Sequence, residues 1–192
     1  MSQLNEPSIL IIVRGIPGSG KSYLSERLHD TIGHKKSVLL DPDTLDTTST
    51  DFQEFSKQLS REGLDSAIHP FRWLRYQACQ HARPGYVTIW NQPFTQKGIF
   101  DRLVTFIQAE ADKNNVKVKV LVVEVIAPKE IAYSRIVARI KSGGHGPSEN
   151  TFAKRVEDFI SFSDSYETLQ LDGTIHVNEL EQAVLEKLQD IL

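Results

Sequence analysis

The segment from Ile11 to Leu28, IIVRGIPGSGKSYLSERL, contains the eight residues GIPGSGKS at Gly15–Ser22. Two glycines at this spacing, followed by Lys21 and a serine, are typical of a phosphate-binding loop. In such a loop, successive backbone N–H groups turn toward phosphate oxygens, and the next helix adds the partial positive charge of its N-terminus. The segment therefore predicts a nucleotide-binding protein. The loop residues predicted to contact the nucleotide are Gly15, Ile16, Pro17, Gly18, Ser19, Gly20, Lys21, Ser22 and Tyr23.

The residues on either side of the loop agree with this interpretation. Ile9–Val13 is a continuous apolar run rich in β-branched side chains, which is typical of a buried parallel strand. Beyond the loop, apolar residues recur at helical spacing as far as Ile32, and Gly33 is a suitable helix end. Strand, loop and helix thus follow in the order that phosphate binding requires. Lys21 is predicted to reach the terminal phosphates and the Ser22 hydroxyl to ligate Mg²⁺.

The composition is that of an ordinary globular protein. Of the 192 residues, 40% are hydrophobic and 24% are charged, so we expect residues 1–192 to form a single domain. The formal net charge of -3, without a basic stripe, argues against a nucleic-acid partner. The single cysteine, Cys79, cannot form an internal disulfide and is interpreted as a core residue. It fits a reducing compartment, and we expect a cytoplasmic protein.

No stretch of the sequence has the features of a membrane segment. The N-terminal residues MSQLNEPS, Met1–Ser8, lack the basic start and the long apolar region of a targeting peptide. The longest hydrophobic run, Val118–Ala127, contains Lys119 and Glu124 and is too short to span a bilayer. We therefore expect a protein that does not insert into membranes.

Apolar runs and helical patterns alternate along the rest of the chain. Four further strands are predicted, at Val38–Asp41, Tyr86–Trp90, Val118–Ile126 and Thr174–Val177. Helices are predicted over Pro70–Ala82, Gln96–Asn114, Pro128–Lys141, Ser148–Thr168 and Glu179–Leu192, and Thr47–Thr50 is interpreted as a polar loop. The pattern predicts an α/β P-loop fold with a five-stranded, mostly parallel sheet and helices on both faces. Ligands of such sheets bind at the carboxyl ends of the strands.

Polar side chains follow the second and third predicted strands. In LLDPDTLD, one of Asp41 and Asp43 could orient Mg²⁺ through water, and the other could accept a proton from an attacking hydroxyl. The same Asp-Pro-Asp sequence also suits a plain turn. Asn91 could bind a substrate hydroxyl or cap its strand. Arg72, with Arg75 three residues later, could bind an anionic substrate or form part of a solvated helix face.

A basic helical region follows the fourth strand in APKEIAYSRIVARIKSGGHGPSEN. Arg135 and Arg139 share one helix face, residues 141–150 form a glycine-containing hinge, and Arg155 lies on the next helix. These features predict a lid that excludes water and brings an arginine to the charge that develops in phosphoryl transfer. The alternative is a solvated basic face with an ordinary turn.

Taken together, these motifs resemble the P-loop kinases of the zeta-toxin type. That family is similar to nucleotide and small-molecule kinases and phosphorylates an amino-sugar nucleotide of the UDP-N-acetylglucosamine kind. The likeness covers most of the chain in order, through GIPGSGKS, LLDPDTLD, HP at His69–Pro70, VEVIAPKEIAYSRIVARI and GGHGP. It implies a nucleoside-monophosphate-kinase-like fold with a helical lid, and ATP and Mg²⁺ as cofactors. It also implies Asp43 as general base, Lys21 and Ser22 as phosphate and Mg²⁺ ligands, and Arg139 as the lid arginine.

Three features depart from the family pattern. Asn91 and Gln92 stand where the family places an acidic residue that contacts the sugar nucleotide. No second lid arginine lies near Gly144–Pro147, and Arg155 is the candidate substitute. The HP pair also lies farther from the acidic pair. The resemblance therefore predicts the fold and the reaction class but leaves the acceptor open, and it gives no sign of an antitoxin-like protein partner.

The favoured interpretation is a Mg²⁺-ATP-dependent kinase that phosphorylates a hydroxyl of a small molecule. Its predicted nucleotide contacts are the loop and Arg135, its substrate contacts are Asp41, Asn91, Arg72 and Arg155, and its metal ligands are Ser22 and Asp41. The runner-up is an ATP-hydrolysing regulatory or chaperone module, although no strand ends in the apolar run followed by Asp-Glu that such ATPases use. The missing Asn-Lys-x-Asp stretch argues against a GTPase, the net charge against a polynucleotide kinase, and intact Lys21 and Ser22 against a binding module without catalysis.

Overall fold

The structure of the protein, a computed structural model, describes residues 6–191. Met1–Asn5, where a targeting peptide was not expected, and Leu192, where the last helix was expected to end, lie outside the described residues. Among the helices of residues 6–191, none is both long enough and apolar enough to cross a bilayer.

Within residues 6–191, five parallel strands form one sheet. They are β1 (Ser8–Arg14), β2 (Ser37–Leu40), β3 (Val87–Asn91), β4 (Val118–Ile126) and β5 (Thr168–Asp172), in the spatial order β2-β3-β1-β4-β5. The central strand β1 is buried along its whole length, which explains why its sequence is apolar without alternation. The predicted fold class is confirmed.

Seven helices surround the described sheet. They are α1 (Lys21–Ile32), α2 (Thr50–Arg61), α3 (His69–His81), α4 (Lys97–Asp112), α5 (Lys129–Lys141), α6 (Glu149–Glu157) and α7 (Val177–Ile191). One core forms where α1 and α7 cover one face of the sheet, and a second where α3 and α4 cover the other. A small third cluster joins α5 and α6 beside the phosphate-binding loop. The layered arrangement leaves the carboxyl ends of the strands as the open edge.

Two predicted elements near the C-terminus are wrong. The fifth strand is Thr168–Asp172 and not Thr174–Val177, because Leu171 is the residue whose side chain enters the core and Val177 begins α7. The helix predicted over Ser148–Thr168 ends at Glu157. Beyond it, the chain runs past the end of β1, where its backbone makes the hydrogen bonds described below.

Helix α2 was not predicted at all. Its first residue, Thr50, is the last residue of the stretch that was interpreted as a polar loop. Phe52 and Leu59 lie on one face of this helix and are buried, whereas most of its other residues are exposed. The helix packs on α3, where the hydroxyl of Ser56 lies 2.8 Å from Nδ1 of the buried His69.

A buried ion pair joins the carboxyl ends of β1 and β4. Nη1 of Arg14 lies 2.6 Å from Oε1 of Glu124, and both side chains are 0% exposed. The guanidinium also donates hydrogen bonds to the carbonyl oxygens of Pro93, Phe94 and Ile160. Arg14 therefore ties the segment after β3 and the segment after α6 to the centre of the sheet.

The carboxylate of Glu124 is satisfied from other directions. It accepts hydrogen bonds from the Ser161 hydroxyl, the Phe162 N–H and the Gln170 amide. Burial alone would raise the pKa of Glu124, but these hydrogen bonds and the charge of Arg14 together hold that pKa below its ordinary value. A carboxylate with a lowered folded-state pKa stabilises the fold above its ordinary pKa, and this stabilisation is lost as the pH falls through the lowered value.

Glu124→Gln is expected to lower the free energy of unfolding at pH 7 by about 3–5 kcal/mol, because it leaves the Arg14 charge buried without a counter-ion. Urea unfolding measures this change. Glu130→Gln is the matched control, since Glu130 and its partner Lys129 are 3.9 Å apart and largely exposed, and it should have no measurable effect. Between pH 7 and pH 3 the wild type should lose more stability than Glu124→Gln. An equal loss would contradict the role given to this carboxylate.

Candidate functional site

The phosphate-binding loop runs from the end of β1 to the start of α1. Gly18 and Gly20 have φ values of +81° and +103°, in the left-handed region that favours glycine. A Cβ at Gly18 would also clash with the carbonyl oxygen of Ala132 in α5. The predicted order of strand, glycine loop and helix is confirmed. Within the described chain, the buried hydroxyl of Ser19 has no hydrogen-bond partner, so the loop contains a polar group that can still form a hydrogen bond.

Five charged side chains surround the start of α1. Burial lowers the pKa of Lys21, the nearby carboxylates of Asp41 and Asp43 raise it, and the charges of Arg139 and Arg155 lower it further. The net result is a lowered pKa. Three cations from α1, α5 and α6 thus lie near enough to repel one another, and this repulsion favours the binding of an anion among them. The geometry fits the terminal phosphates of a nucleotide.

Asn91 links the loop to the end of β2. Its amide nitrogen donates a hydrogen bond to the Ser22 hydroxyl at 3.0 Å and another to the Asp41 carboxylate. The other oxygen of Asp41 accepts the backbone N–H of Asp43 at 2.8 Å. Asn91 and Asp41 are both buried. This arrangement brings together the two residues predicted to hold a metal.

The oxygen ligands of this cluster fit Mg²⁺. Ser22 supplies a hydroxyl and Asp41 a carboxylate, and Mg²⁺ prefers one or two such ligands together with phosphate oxygens and water. The side-chain oxygen Oδ1 of Asn91 is buried and has no hydrogen-bond partner within residues 6–191, so it could accept a hydrogen bond from a metal-bound water. The same residues include no group of three or more His, Cys, Asp or Glu side chains that could hold a metal alone.

One cleft, with a volume of about 880 Å³, contains most of the predicted site. Unlike Asp41, Asp43 is exposed, and within the described chain its carboxylate accepts no hydrogen bond, which leaves it able to take a proton. The predicted site residues that line this cleft are Pro17, Gly18, Gly20, Lys21, Ser22, Tyr23, Asp41, Asp43, Asn91, Arg135, Arg139 and Arg155. Gly15, Ile16 and Ser19 complete the loop behind it.

Arg135 holds the loop from the side of α5. Its guanidinium donates to the carbonyl oxygen of Gly173 at 2.8 Å and to that of Gly18 at 3.3 Å. Gly173, directly after β5, approaches so closely that a Cβ there would clash with the carbonyl oxygen of Ser19. Arg135 and Gly173 therefore fix the backbone that would receive the phosphates.

The segment between α5 and α6 borders the cleft. It lies inside the hinge predicted at residues 141–150, and His145, Gly146 and Pro147 contribute to the lining. A Cβ at Gly146 would lie 2.7 Å from Cγ2 of Ile136, so this segment packs tightly on α5. Closure of this segment as a lid stays a prediction.

Not every predicted residue reaches the cleft. Arg72 lies on α3 outside the lining, beside Arg75, whose pKa is lowered by burial and then by the charge of Arg72. Asn91 does line the cleft, but its amide nitrogen is turned to Ser22 and Asp41. The lining also contains residues that were not predicted to contact a ligand, among them Phe71, Phe94, Thr95, Gln96 and Ile99. Four of these five lie within eight positions of Asn91, so their place just after a strand end was an available signal.

The sequence model of the AAA domain family matches residues 10–159, which is most of the chain. The protein belongs to this family. The match includes the phosphate-binding loop, both aspartates after β2, the basic residues of α5 and the whole of α6. No curated protein has a significantly similar sequence.

Solved structures with the same fold include several kinases. A proposed kinase from Chloroflexus aurantiacus superimposes with a TM-score of 0.65 at 19% identity, over 99% of each chain. A gluconokinase from Sinorhizobium meliloti has a TM-score of 0.59 at 14% identity, over 96% of this chain and 93% of its own. Deoxyadenosine kinase from M. mycoides, with bound dATP, has a TM-score of 0.52 at 15% identity, over 95% of this chain and 99% of its own. At these identities the likeness establishes the fold.

Gly173→Ala is expected to weaken ATP binding about tenfold, because the added Cβ forces the loop backbone to shift at a cost of about 1–2 kcal/mol. Calorimetric titration with ATP measures the change. Gly98→Ala is the control, since a Cβ there would meet only the Arg102 guanidinium, at 3.8 Å. Equal ATP affinity in the two variants would show that Gly173 does not support the loop.

Proposed function

We propose that the protein is a kinase that transfers the γ-phosphoryl group of ATP, in the presence of Mg²⁺, to a hydroxyl group of a small molecule. The observation that carries this proposal is the placement of the exposed Asp43 carboxylate in the same cleft as Lys21, near enough to raise the pKa of that lysine. The kinases among the similar structures support the same reaction class.

Two neighbouring carboxylates would have different roles. Asp41 is buried and both of its oxygens accept hydrogen bonds, so it is suited to holding the Mg²⁺ side of the site together with Ser22. Asp43 is exposed to the cleft and retains its proton-accepting capacity. We assign Asp43 the removal of the proton from the attacking hydroxyl. When bound, Mg²⁺ would supply positive charge beside the β- and γ-phosphates.

The cations of the cleft would stabilise the transition state. Lys21, Arg139 and Arg155 come from three different helices and surround the place that the loop provides for phosphate. Negative charge spreads over the transferred phosphoryl group during the reaction, and fixed positive groups there lower the barrier. The segment at His145–Pro147 would exclude water, which favours transfer to an acceptor over hydrolysis.

The finer resemblance to zeta-toxin-type kinases also belongs to this proposal. It is supported by the order of the motifs, and by the acidic pair and lid arginine that meet in one cleft. The buried amide of Asn91 is bonded to Ser22 and Asp41 and does not supply the negative charge that the family places there. We therefore expect UDP-N-acetylglucosamine to be a poor acceptor. A cytoplasmic location, favoured by the single thiol, is part of the same proposal.

Asp43→Asn is expected to lower acceptor-dependent phosphoryl transfer about 10²–10⁴-fold, the usual contribution of a general base. ATP affinity should change little, because the loop supplies the phosphate contacts. Steady-state ADP formation with and without acceptor, together with ATP titration, measures both quantities. Asp46→Asn, in the same loop but outside the cleft lining, is the control and should retain wild-type rates. Undiminished transfer by Asp43→Asn would remove Asp43 from the mechanism.

Lys21→Ala separates nucleotide chemistry from folding. Loss of this charge should abolish turnover of Mg²⁺-ATP, while the far-UV circular dichroism spectrum and the cooperativity of unfolding stay those of the wild type. A variant that consumed ATP at the wild-type rate would show that the loop does not hold the reacting phosphates, and the proposed function would fall with it.

A further inference from the structure

The phosphate-binding loop divides the cleft into two sides. The loop follows the central strand β1, so residues after β4 and β5 lie on one side of it and residues after β2 and β3 on the other. The β4 side contains the cations Arg135 and Arg139. On the β2 side are Asp41 and Asp43, the segment after β3, and the first turns of α3 and α4.

The β2 side of the cleft has no positive charge. Among the described residues that line it, none is lysine, arginine or histidine. Arg72 lies outside the lining, and Lys97 at the start of α4 is paired with Asp101 at 2.9 Å. The charges on this side are the carboxylates of Asp41 and Asp43. A negatively charged acceptor bound on this side would be repelled by these carboxylates, and the nearby cation Lys21 would already be engaged by the phosphates of the nucleotide.

Two large apolar side chains are exposed on this side. Phe71, in the first turn of α3, and Ile99, in the first turn of α4, are each 48% exposed although they line the cleft. The segment after β3 lines the same cleft, and in it Phe94 adopts a φ of +44° and is buried. Exposed apolar side chains within a polar cleft are typical of surfaces that a ligand covers.

Neutral polar side chains also line the β2 side of the cleft, and together with Phe71 and Ile99 they form its wall. Gln92 accepts a hydrogen bond from the Trp90 indole at 3.1 Å, which leaves its amide nitrogen available as a donor. Within residues 6–191, the side chains of Thr95 and Gln96 form no hydrogen bond. The wall therefore offers hydroxyl and amide groups that orient an uncharged ligand.

We propose that the acceptor is an uncharged alcohol that carries a planar or apolar ring. This inference rests on the proposed function. The ring would lie between Phe71 and Ile99, and Gln92, Thr95 and Gln96 would bind its polar substituents. The reacting hydroxyl would lie beside Asp43. Its oxygen forms a new bond to the γ-phosphorus, its proton goes to Asp43, and the bond from the γ-phosphorus to the bridging oxygen breaks with its electron pair on ADP.

Matched acceptors test the charge and the ring separately. Phenyl β-glucuronide and its methyl ester differ in a single negative charge. Phenyl β-glucoside and methyl β-glucoside share the sugar ring and differ in the aromatic ring. Thymidine adds an uncharged alcohol with a planar base, and gluconate adds a charged alcohol without a ring. For each compound, kcat/KM is measured as acceptor-dependent ADP formation by the wild-type protein at saturating Mg²⁺-ATP.

The uncharged, ring-bearing member of each pair should be preferred about tenfold or more. Comparable or better use of gluconate or of the free glucuronide would overturn the inference while leaving the proposed function in place. If none of the uncharged ring compounds stimulates ADP formation although ATP still binds, the inference is also overturned. A different observation would contradict the proposed function, namely undiminished turnover by Lys21→Ala and Asp43→Asn.

Side-chain truncation places the ring in the cleft. Phe71→Ala and Ile99→Ala should each raise the KM of the best ring-bearing acceptor about five- to tenfold, with the KM for ATP unchanged, because each removes apolar surface that the ring would cover. Phe106→Ala and Ile131→Ala are the controls, since Phe106 is 38% and Ile131 is 39% exposed and both lie outside the cleft. An unchanged acceptor KM in Phe71→Ala and Ile99→Ala would overturn this placement of the ring.

Discussion

The buried ion pair between Arg14 and Glu124 is the interaction on which the rest of the site depends. Removing two charges from water costs several kcal/mol per ion, and the cost is offset only where every remaining donor and acceptor is satisfied. Here the partners that satisfy them belong to the segments after β3, after α6 and in β5. The pair can therefore be buried only when the segment after β3, which lines the cleft, and the segment after α6 are both in place.

The phosphate-binding loop is held in a similar way by elements on its β4 side. Arg135 bonds to loop carbonyl oxygens, and Gly173 packs against the loop backbone from the end of β5. The loop conformation is thus determined before a nucleotide arrives, and backbone N–H groups fixed in advance need no reorganisation during reaction. In this way, elements on the β4 side of the sheet form the part of the cleft where the nucleotide would bind.

The distribution of charge across the cleft explains how one site would treat two substrates. Cations from three helices meet around Lys21, where a nucleotide would bring its phosphates. Carboxylates, amides and apolar groups line the opposite side, where the hydroxyl acceptor would bind. In the proposed reaction, this asymmetry would separate the binding of phosphate from the removal of a proton, and it would discriminate against acceptors that carry a negative charge of their own.

The fold class, the first four strands and the phosphate-binding loop could be predicted from the sequence, because each is encoded by a contiguous pattern: the apolar run at Ile9–Val13, the glycine spacing and the strand-helix alternation. The sequence also indicated Asp41, Asp43 and Arg139, which follow strand ends or share a helix face. Three features depend on packing between distant segments and became visible only in the folded chain: the burial of Asp41 but not Asp43, the position of Arg72 outside the cleft, and the end of β5 at Asp172. The tertiary structure alone revealed Arg14 with Glu124, since residues 110 positions apart meet only when parallel strands align them and bury both charges.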